Sequence, residues 1–235
     1  MDRRCIAICD SGIGGLRLLK RLDESVKGQT LLYYADFDNL PYGNKSVEEL
    51  NGIAENILKR FLPFCPKAVV FACNTLSVNT IGKDLNCGVE IVRVLPKVRA
   101  NEKGLLLCTE ATAKSEYVKA LQKENKLLDV MALSGLAEEV EAHVFCNKEI
   151  DLKSRFKGVE RDYDFVSLGC THYPWMVKEL VKIFPNSQFL SGESEAFEKI
   201  VFSVTTFDTL DHRNEICFIG RGVERLKSLY LKGFL

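Results

Sequence analysis

Two segments of the chain place a thiol directly after an apolar run and beside residues that can hydrogen-bond. The first is Val69-Val70-Phe71-Ala72-Cys73-Asn74-Thr75, and the second is Phe165-Val166-Ser167-Leu168-Gly169-Cys170-Thr171-His172. Each reads as a strand, a small residue, a cysteine and then side chains able to donate to a carboxylate. In open α/β sheets, ligands sit beyond the carboxyl ends of the strands, and both motifs occupy that place. A thiol at a strand-to-helix turn feels the helix N-terminus, which lowers its pKa. His172 stands two residues past Cys170, where it can assist that thiol's proton transfers. A cysteine hydrolase needs one thiol and one imidazole. Two thiols in matching settings suit a different reaction, in which a proton leaves one face of a carbon and another arrives on the opposite face. The bland alternative is that both are small buried hydrophobes and the echo is chance.

Two further segments can hold a small polar ligand. Asp10-Ser11-Gly12-Ile13-Gly14-Gly15-Leu16 follows the first apolar run. Its glycines allow a tight turn and let backbone N–H groups approach an anion. The spacing is G-x-G-G, without the third glycine of a dinucleotide fingerprint and without Gly-Lys-Ser/Thr, so a nucleotide reading is poor. Asp10 adds a carboxylate at a strand end, where a proton can be relayed. Pro41-Tyr42-Gly43-Asn44-Lys45-Ser46 is ordinary turn chemistry, whose amides and Tyr42 hydroxyl can also close over a ligand.

The elements that must position these residues alternate. Short apolar runs at Cys5–Cys9, Leu31–Ala35, Ala68–Ala72, Val89–Val94, Leu105–Cys108, Leu127–Ala132, Tyr163–Leu168, Gln188–Leu190 and Glu215–Ile219 predict strands covered on both faces. Helical patterns lie between them, near Leu16–Val26, Val47–Leu62, Thr112–Lys123, Leu136–Phe145 and Trp175–Phe184. Ser46 with Glu49 forms a capping box, and Pro63 stops the second of these helices. The class expected is α/β with parallel strands. Pro96 is the candidate first crossing between two domains.

Composition narrows the function further. Lys plus Arg is 32 and Asp plus Glu is 32, so no basic excess points to nucleic acid or a membrane surface. Hydrophobic residues are 46% and charged residues 27%, an ordinary globular profile with no apolar run long enough to span a bilayer. The start of the chain lacks a signal-peptide apolar region, so a cytoplasmic protein is expected. Nine cysteines with no C-x-x-C pair argue for reduced thiols and against a zinc site.

Taken together, Asp10-Ser11-Gly12-x-Gly14-Gly15-Leu16, Pro41-Tyr42-Gly43-x-Lys45, Ala72-Cys73-Asn74-Thr75 and Leu168-Gly169-Cys170-Thr171-His172-Tyr173-Pro174 resemble the successive signatures of bacterial glutamate racemases. Thr109-x-Ala111-Thr112-x-x-Ser115 is similar to the segment that opens the family's second domain. The resemblance implies two similar α/β domains with mainly parallel sheets and the active site in the cleft between them. It implies residues 1–95 and 205–235 in one domain, with the C-terminal segment returning to it, and 96–204 in the other. It implies cofactor-independent racemisation of glutamate, without metal, supplying D-glutamate for peptidoglycan. Cys73 and Cys170 match the two catalytic thiols, the first acting on D-glutamate and the second on L-glutamate. Asp10 matches the carboxylate assisting the first thiol, and His172 the imidazole assisting the second. Ser11, Tyr42, Gly43, Asn74, Thr75, Thr112, Thr171, His172 and Asp10 match substrate-binding positions. Neither nucleic acid nor membrane is an implied partner, and the oligomeric state stays open, a homodimer being allowed.

The chain also departs from the family pattern. Leu76 replaces the usual alanine, Trp175-Met176 replaces a smaller aliphatic pair, and the second-domain glutamate aligns with Glu138, with Glu139 the neighbouring register. The chain is shorter than typical members and begins close to its first strand. An N-terminal extension that binds a cell-wall precursor activator in some members is therefore not expected. The rival readings are an aspartate racemase of the same superfamily, a one-thiol lyase or decarboxylase, and a non-catalytic amino-acid-binding protein. His172 after Cys170-Thr171 favours glutamate over aspartate, where relatives commonly carry an acid, and the second thiol argues against a one-thiol enzyme.

Overall fold

A computed structural model describes residues 5–85, 88–205 and 213–232. The first half runs β1 (Cys5–Asp10), α1 (Leu16–Ser25), β2 (Thr30–Ala35), α2 (Val47–Phe61), β3 (Ala68–Phe71), α3 (Asn74–Asn79) and β4 (Glu90–Arg93). The second half continues with β5 (Gly104–Cys108), α4 (Glu110–Ala113), α5 (Glu116–Glu124), β6 (Leu128–Ala132), α6 (Leu136–Cys146), α7 (Leu152–Arg155), β7 (Phe165–Gly169), α8 (Val177–Ile183) and β8 (Gln188–Leu190). The chain then ends with α9 (Glu193–Thr205), β9 (Glu215–Ile219) and α10 (Val223–Leu231).

Two sheets form, ordered β4-β3-β1-β2-β9 and β6-β5-β7-β8, and every strand pair in them is parallel. Both expected features, the α/β class and the parallel strands, are present. β1 is buried at all six positions because helices cover both its faces. Leave out β9 and the sheets share one topology. In each, the chain steps outward from its first strand to the second, then returns to the other side of the first. The strand order therefore reverses between β1 and β3 in one sheet and between β5 and β7 in the other. Clefts beyond the carboxyl ends at such reversals are where open α/β sheets bind ligands.

Local chemistry explains the element boundaries. Ser46 caps α2: its Oγ accepts from Glu49 N–H at 3.2 Å, and its own N–H donates to Glu49 Oε2 at 2.8 Å. The helix expected over 112–123 is instead two, because Ser115 starts α5 by accepting from Val118 N–H at 3.2 Å. Likewise the pattern from Trp175 opens as a 3₁₀ turn over Tyr173–Met176 before α8 begins. Helices α3, α7, α9 and α10 fall outside the helical patterns expected above. In α3, Asn74, Thr75 and Ser77 are buried, so a six-residue helix packs polar side chains inward and shows no apolar period.

The chain returns to the first sheet after β8. Ala196 and Ile200 of α9 join Leu16, Leu19 and Leu22 of α1 in one core, and β9 pairs with β2. Helix α9 is thus already packed on the first sheet before position 205; the residues just after it, 206–212, lie outside the described residues. The two crossings run side by side. A Cβ on Gly192 would fall 1.7 Å from the Leu95 carbonyl oxygen, so only glycine lets them touch. Among the described residues no helix is long and apolar enough to cross a membrane.

Candidate active site

The carboxyl ends of the strands at the two reversals face one another across a cavity of about 180 Å³. That is well under the roughly 300–1,000 Å³ of pockets for drug-sized molecules, and it suits a small ligand. Cys73 follows β3 and caps α3, while Cys170 follows β7; both thiols are on the cavity wall and both are buried. Ser11, Tyr42, Gly43, Thr75, Glu138 and His172 line the same cavity. No lysine or arginine is among the described lining residues, so a ligand carboxylate there meets hydroxyls, backbone amides and the His172 ring rather than a long basic side chain.

The remaining sequence candidates lie immediately behind the wall. Asp10 is fully buried and accepts from Gly12 N–H at 3.0 Å and from the Thr171 hydroxyl at 3.0 Å. Burial pushes its pKa up, although the charge of His172 and these two bonds oppose the rise. The Asn74 side chain donates to the Val94 carbonyl at 3.0 Å. Thr112 shares a cluster of hydroxyls with Thr75, at 3.1 Å, and with Thr109, at 3.0 Å. Glu138 faces the cavity, whereas Glu139 turns to an ion pair with Arg155 at 2.6 Å.

The two thiols differ electrostatically. A lowered pKa is expected for a thiol that starts a helix, but Cys73 is pushed up to about 12. Burial is the main cause, with the Asp10 charge adding to it, and hydrogen bonding from the Leu76 backbone and Ser11 does not compensate. Cys170 instead has the His172 Nδ1 at 3.8 Å. Burial alone pulls that imidazole down, yet its hydrogen bonds to Cys170 and Glu141, together with their charges, raise it well above the usual value.

Sequence reasoning missed three supporting residues. Glu141 Oε1 lies 2.8 Å from His172 Nε2. Asp36 takes the Tyr42 hydroxyl at 2.6 Å and the Tyr34 hydroxyl at 2.8 Å, so the Tyr42 hydroxyl is engaged by a carboxylate. Tyr33 donates to the Gly12 carbonyl at 2.7 Å and pins the glycine turn. Tyr33 is on β2, Asp36 directly follows it and Glu141 is on α6, and no local motif marks them.

Bonds from both halves close the cleft. Besides Thr171 to Asp10, the Ala111 N–H donates to the Gly43 carbonyl at 2.8 Å, and Thr75 meets Thr109 at 2.8 Å. The glycines permit this approach, since a Cβ on Gly14 would fall 2.3 Å from Thr171 Oγ1 and one on Gly43 would fall 2.9 Å from Thr109 Cβ.

No family model matches the chain. A glutamate racemase of Carboxydothermus hydrogenoformans is 36% identical over 200 residues, covering 79% of this chain and 74% of that protein. The crystal structure of glutamate racemase from Campylobacter jejuni superposes with a TM-score of 0.81 at 25% identity, covering 98% of each chain. Escherichia coli glutamate racemase, solved in complex with L-glutamate and the activator UDP-MurNAc-Ala, shares the fold with a TM-score of 0.79 at 21% identity, over 99% of this chain and 95% of that one. With a relative above 30% identity over most of both sequences, the chain belongs to the glutamate racemase family.

Proposed function

We propose that the protein interconverts L- and D-glutamate without a cofactor, using Cys73 and Cys170 on opposite faces of the substrate α-carbon. The observation that carries this reading is the placement of two thiols at the equivalent reversal points of two like sheets, on the walls of one small cavity. In the L-to-D direction the Cys170 thiolate takes the α-proton, forming S–H as the C–H bond breaks. The Cys73 thiol gives its proton to the other face and becomes the thiolate. The reverse direction exchanges these roles. A high pKa suits Cys73 as a proton donor at neutral pH, and the neighbouring imidazole suits Cys170 as the base. Asp10 assists the first thiol and His172 the second. Hydroxyls of Ser11 and Thr75 with nearby amides hold the substrate carboxylate and oppose charge building at the α-carbon in a site closed to water. Glu138 lies on the wall where it can meet the substrate ammonium.

In this reading the enzyme works in the cytoplasm, and its product feeds peptidoglycan. Its two domains are 1–95 with the segment from α9 onward, and 96–192, since α9 shares the core of α1.

The test is isotopic. With heavy water and early sampling, product glutamate carries deuterium at the α-carbon while unreacted substrate stays protiated, from either enantiomer. Mostly protiated product overturns the two-thiol assignment, because a single base often returns the proton it took. Turnover of aspartate instead of glutamate moves the substrate to the rival racemase.

A further inference from the structure

Glu141 belongs to none of the motifs above, yet its Oε1 joins the two halves of the molecule at the candidate site. That single oxygen accepts from Ile13 N–H at 2.8 Å and faces His172 Nε2 at 2.8 Å. Ile13 lies in the glycine turn after β1, on the first sheet, and His172 follows β7, on the second. Glu141 itself is on α6 and is buried. Gly12 makes the arrangement possible, because a Cβ there would fall 1.9 Å from Glu141 Oε1 and 3.2 Å from His172 Nε2. The glycine turn, whose amides are suited to a ligand anion, therefore already holds a carboxylate from the other domain.

The geometry points to Glu141 as the positioning residue of His172, one that fixes the imidazole with Nδ1 toward Cys170 and couples that orientation to the closed cleft. The inference rests on the Cys170–His172 pair acting as proposed above. By accepting from Nε2–H, the carboxylate leaves Nδ1 facing the sulfur. When the thiol proton passes to Nδ1, the S–H bond breaks, an N–H bond forms, and a thiolate stands beside an imidazolium whose second N–H stays with Glu141. Anchored acids orient imidazoles in this way wherever the ring must keep one tautomer. Three titratable groups face the ring: Cys170 from the end of β7, Glu141 from α6 and Asp10 from the end of β1. The Ile13 bond means that opening the cleft releases the ring as well as the substrate.

The test uses the full-length chain with Glu141→Gln, which keeps the size and removes the charge. Ring-nitrogen NMR of His172 in the ligand-free protein should show both nitrogens protonated near neutral pH in the wild type, with one losing its proton in the variant. In parallel, kcat should fall about 10–100-fold, the range a hydrogen bond to a charged group is worth, with KM within about threefold. A kcat within twofold of wild type, unmoved ring signals, or a loss confined to KM overturns the role. Should the variant fail to fold, wild-type signals with a neutral ring protonated on Nδ1 overturn it, and an Nε2 proton held in slow exchange supports it. A wild-type protein inactive on glutamate that still shows the Glu141-held imidazolium would sink the reaction assignment and leave the positioning intact.

Discussion

The two halves of the cleft use the same scaffold for opposite electrostatic ends. Each supplies a first strand, a strand returning beside it, and a thiol at the end of the latter. On the Cys73 side Asp10 raises the thiol further after burial has raised it. On the Cys170 side an imidazole stands at 3.8 Å with a carboxylate behind it. A duplicated fold therefore fixes where the sulfurs stand, and a few side chains give each a different setting: burial and Asp10 raise the Cys73 thiol, while the His172 ring stands beside Cys170. Under the proposed mechanism an L-substrate meets a donor on the Cys73 face and a base on the Cys170 face.

Because enantiomers have equal free energy, kcat/KM must be the same in both directions for every variant, and any asymmetry shows only in kcat and KM separately. The largest effect is expected from Cys73→Ser and Cys170→Ser. Each should lower kcat/KM by at least about 10³-fold, since a hydroxyl is a far weaker base than a thiolate. The halves then separate by exchange. Cys73→Ser should still wash solvent deuterium into L-glutamate without racemising it, and Cys170→Ser should do the same for D-glutamate. A variant that retains a tenth of the activity removes its thiol from the chemistry.

Next in size is the contrast between the two assistants. His172→Asn deletes the group beside Cys170 and should cost about 10²-fold in kcat. Asp10→Asn keeps a carbonyl oxygen for Gly12 N–H or the Thr171 hydroxyl, so about tenfold is expected. Equal losses would mean that the halves are assisted alike, against the asymmetry of their geometry.

Alkaline stability extends the comparison to Cys108, a thiol outside the site. Cys73 and Cys108 are both raised from 9.0 to about 12, chiefly by burial. In the unfolded chain these thiols ionise above pH 9, while in the folded protein they keep their protons, so the native state binds more protons. Stability is therefore complete below about pH 9 and falls as pH rises from there toward 12, by about 1–3 kcal/mol per pH unit for the two together. Urea unfolding at pH 8 and pH 10 measures it, and a flat profile shows that the thiols ionise in place.

Much of this architecture is legible in the residues alone. Continuous apolar runs mark the strands because both faces are covered, and Cys73 and Cys170 stand out because each follows such a run. What stays hidden depends on three-dimensional pairing. Glu141 looks like one more charge on α6, and only the folded approach of Gly12 reveals its oxygen between Ile13 and His172. Asp36 likewise reads as a loop acid until Tyr34 and Tyr42 converge on it. The pKa of Cys73 runs against the sequence-based expectation because a six-residue helix offers a small favourable field, whereas complete burial acts on the whole charge.

The smallest expected effect belongs to the loop that closes the Cys73 half. Tyr42 lines the cavity, but its hydroxyl donates to Asp36 Oδ2 at 2.6 Å. Tyr42→Phe removes that donor, while Asp36 still accepts from Tyr34 at 2.8 Å and from Asn39 at 2.9 Å. The carboxylate is not stranded, and the stability loss should be about 1 kcal/mol, a drop in Tm of a few degrees. If the loop meets substrate through the Gly43 backbone, which the Ala111 N–H holds through the Gly43 carbonyl at 2.8 Å, KM should rise less than about fivefold. A Tyr42 hydroxyl that swings from Asp36 to the ligand on binding predicts the reverse, a KM increase well above tenfold with Tm unchanged. Measuring both on one variant decides whether that side of the cleft grips its ligand through side chains or through a backbone that an acid-anchored tyrosine keeps in place.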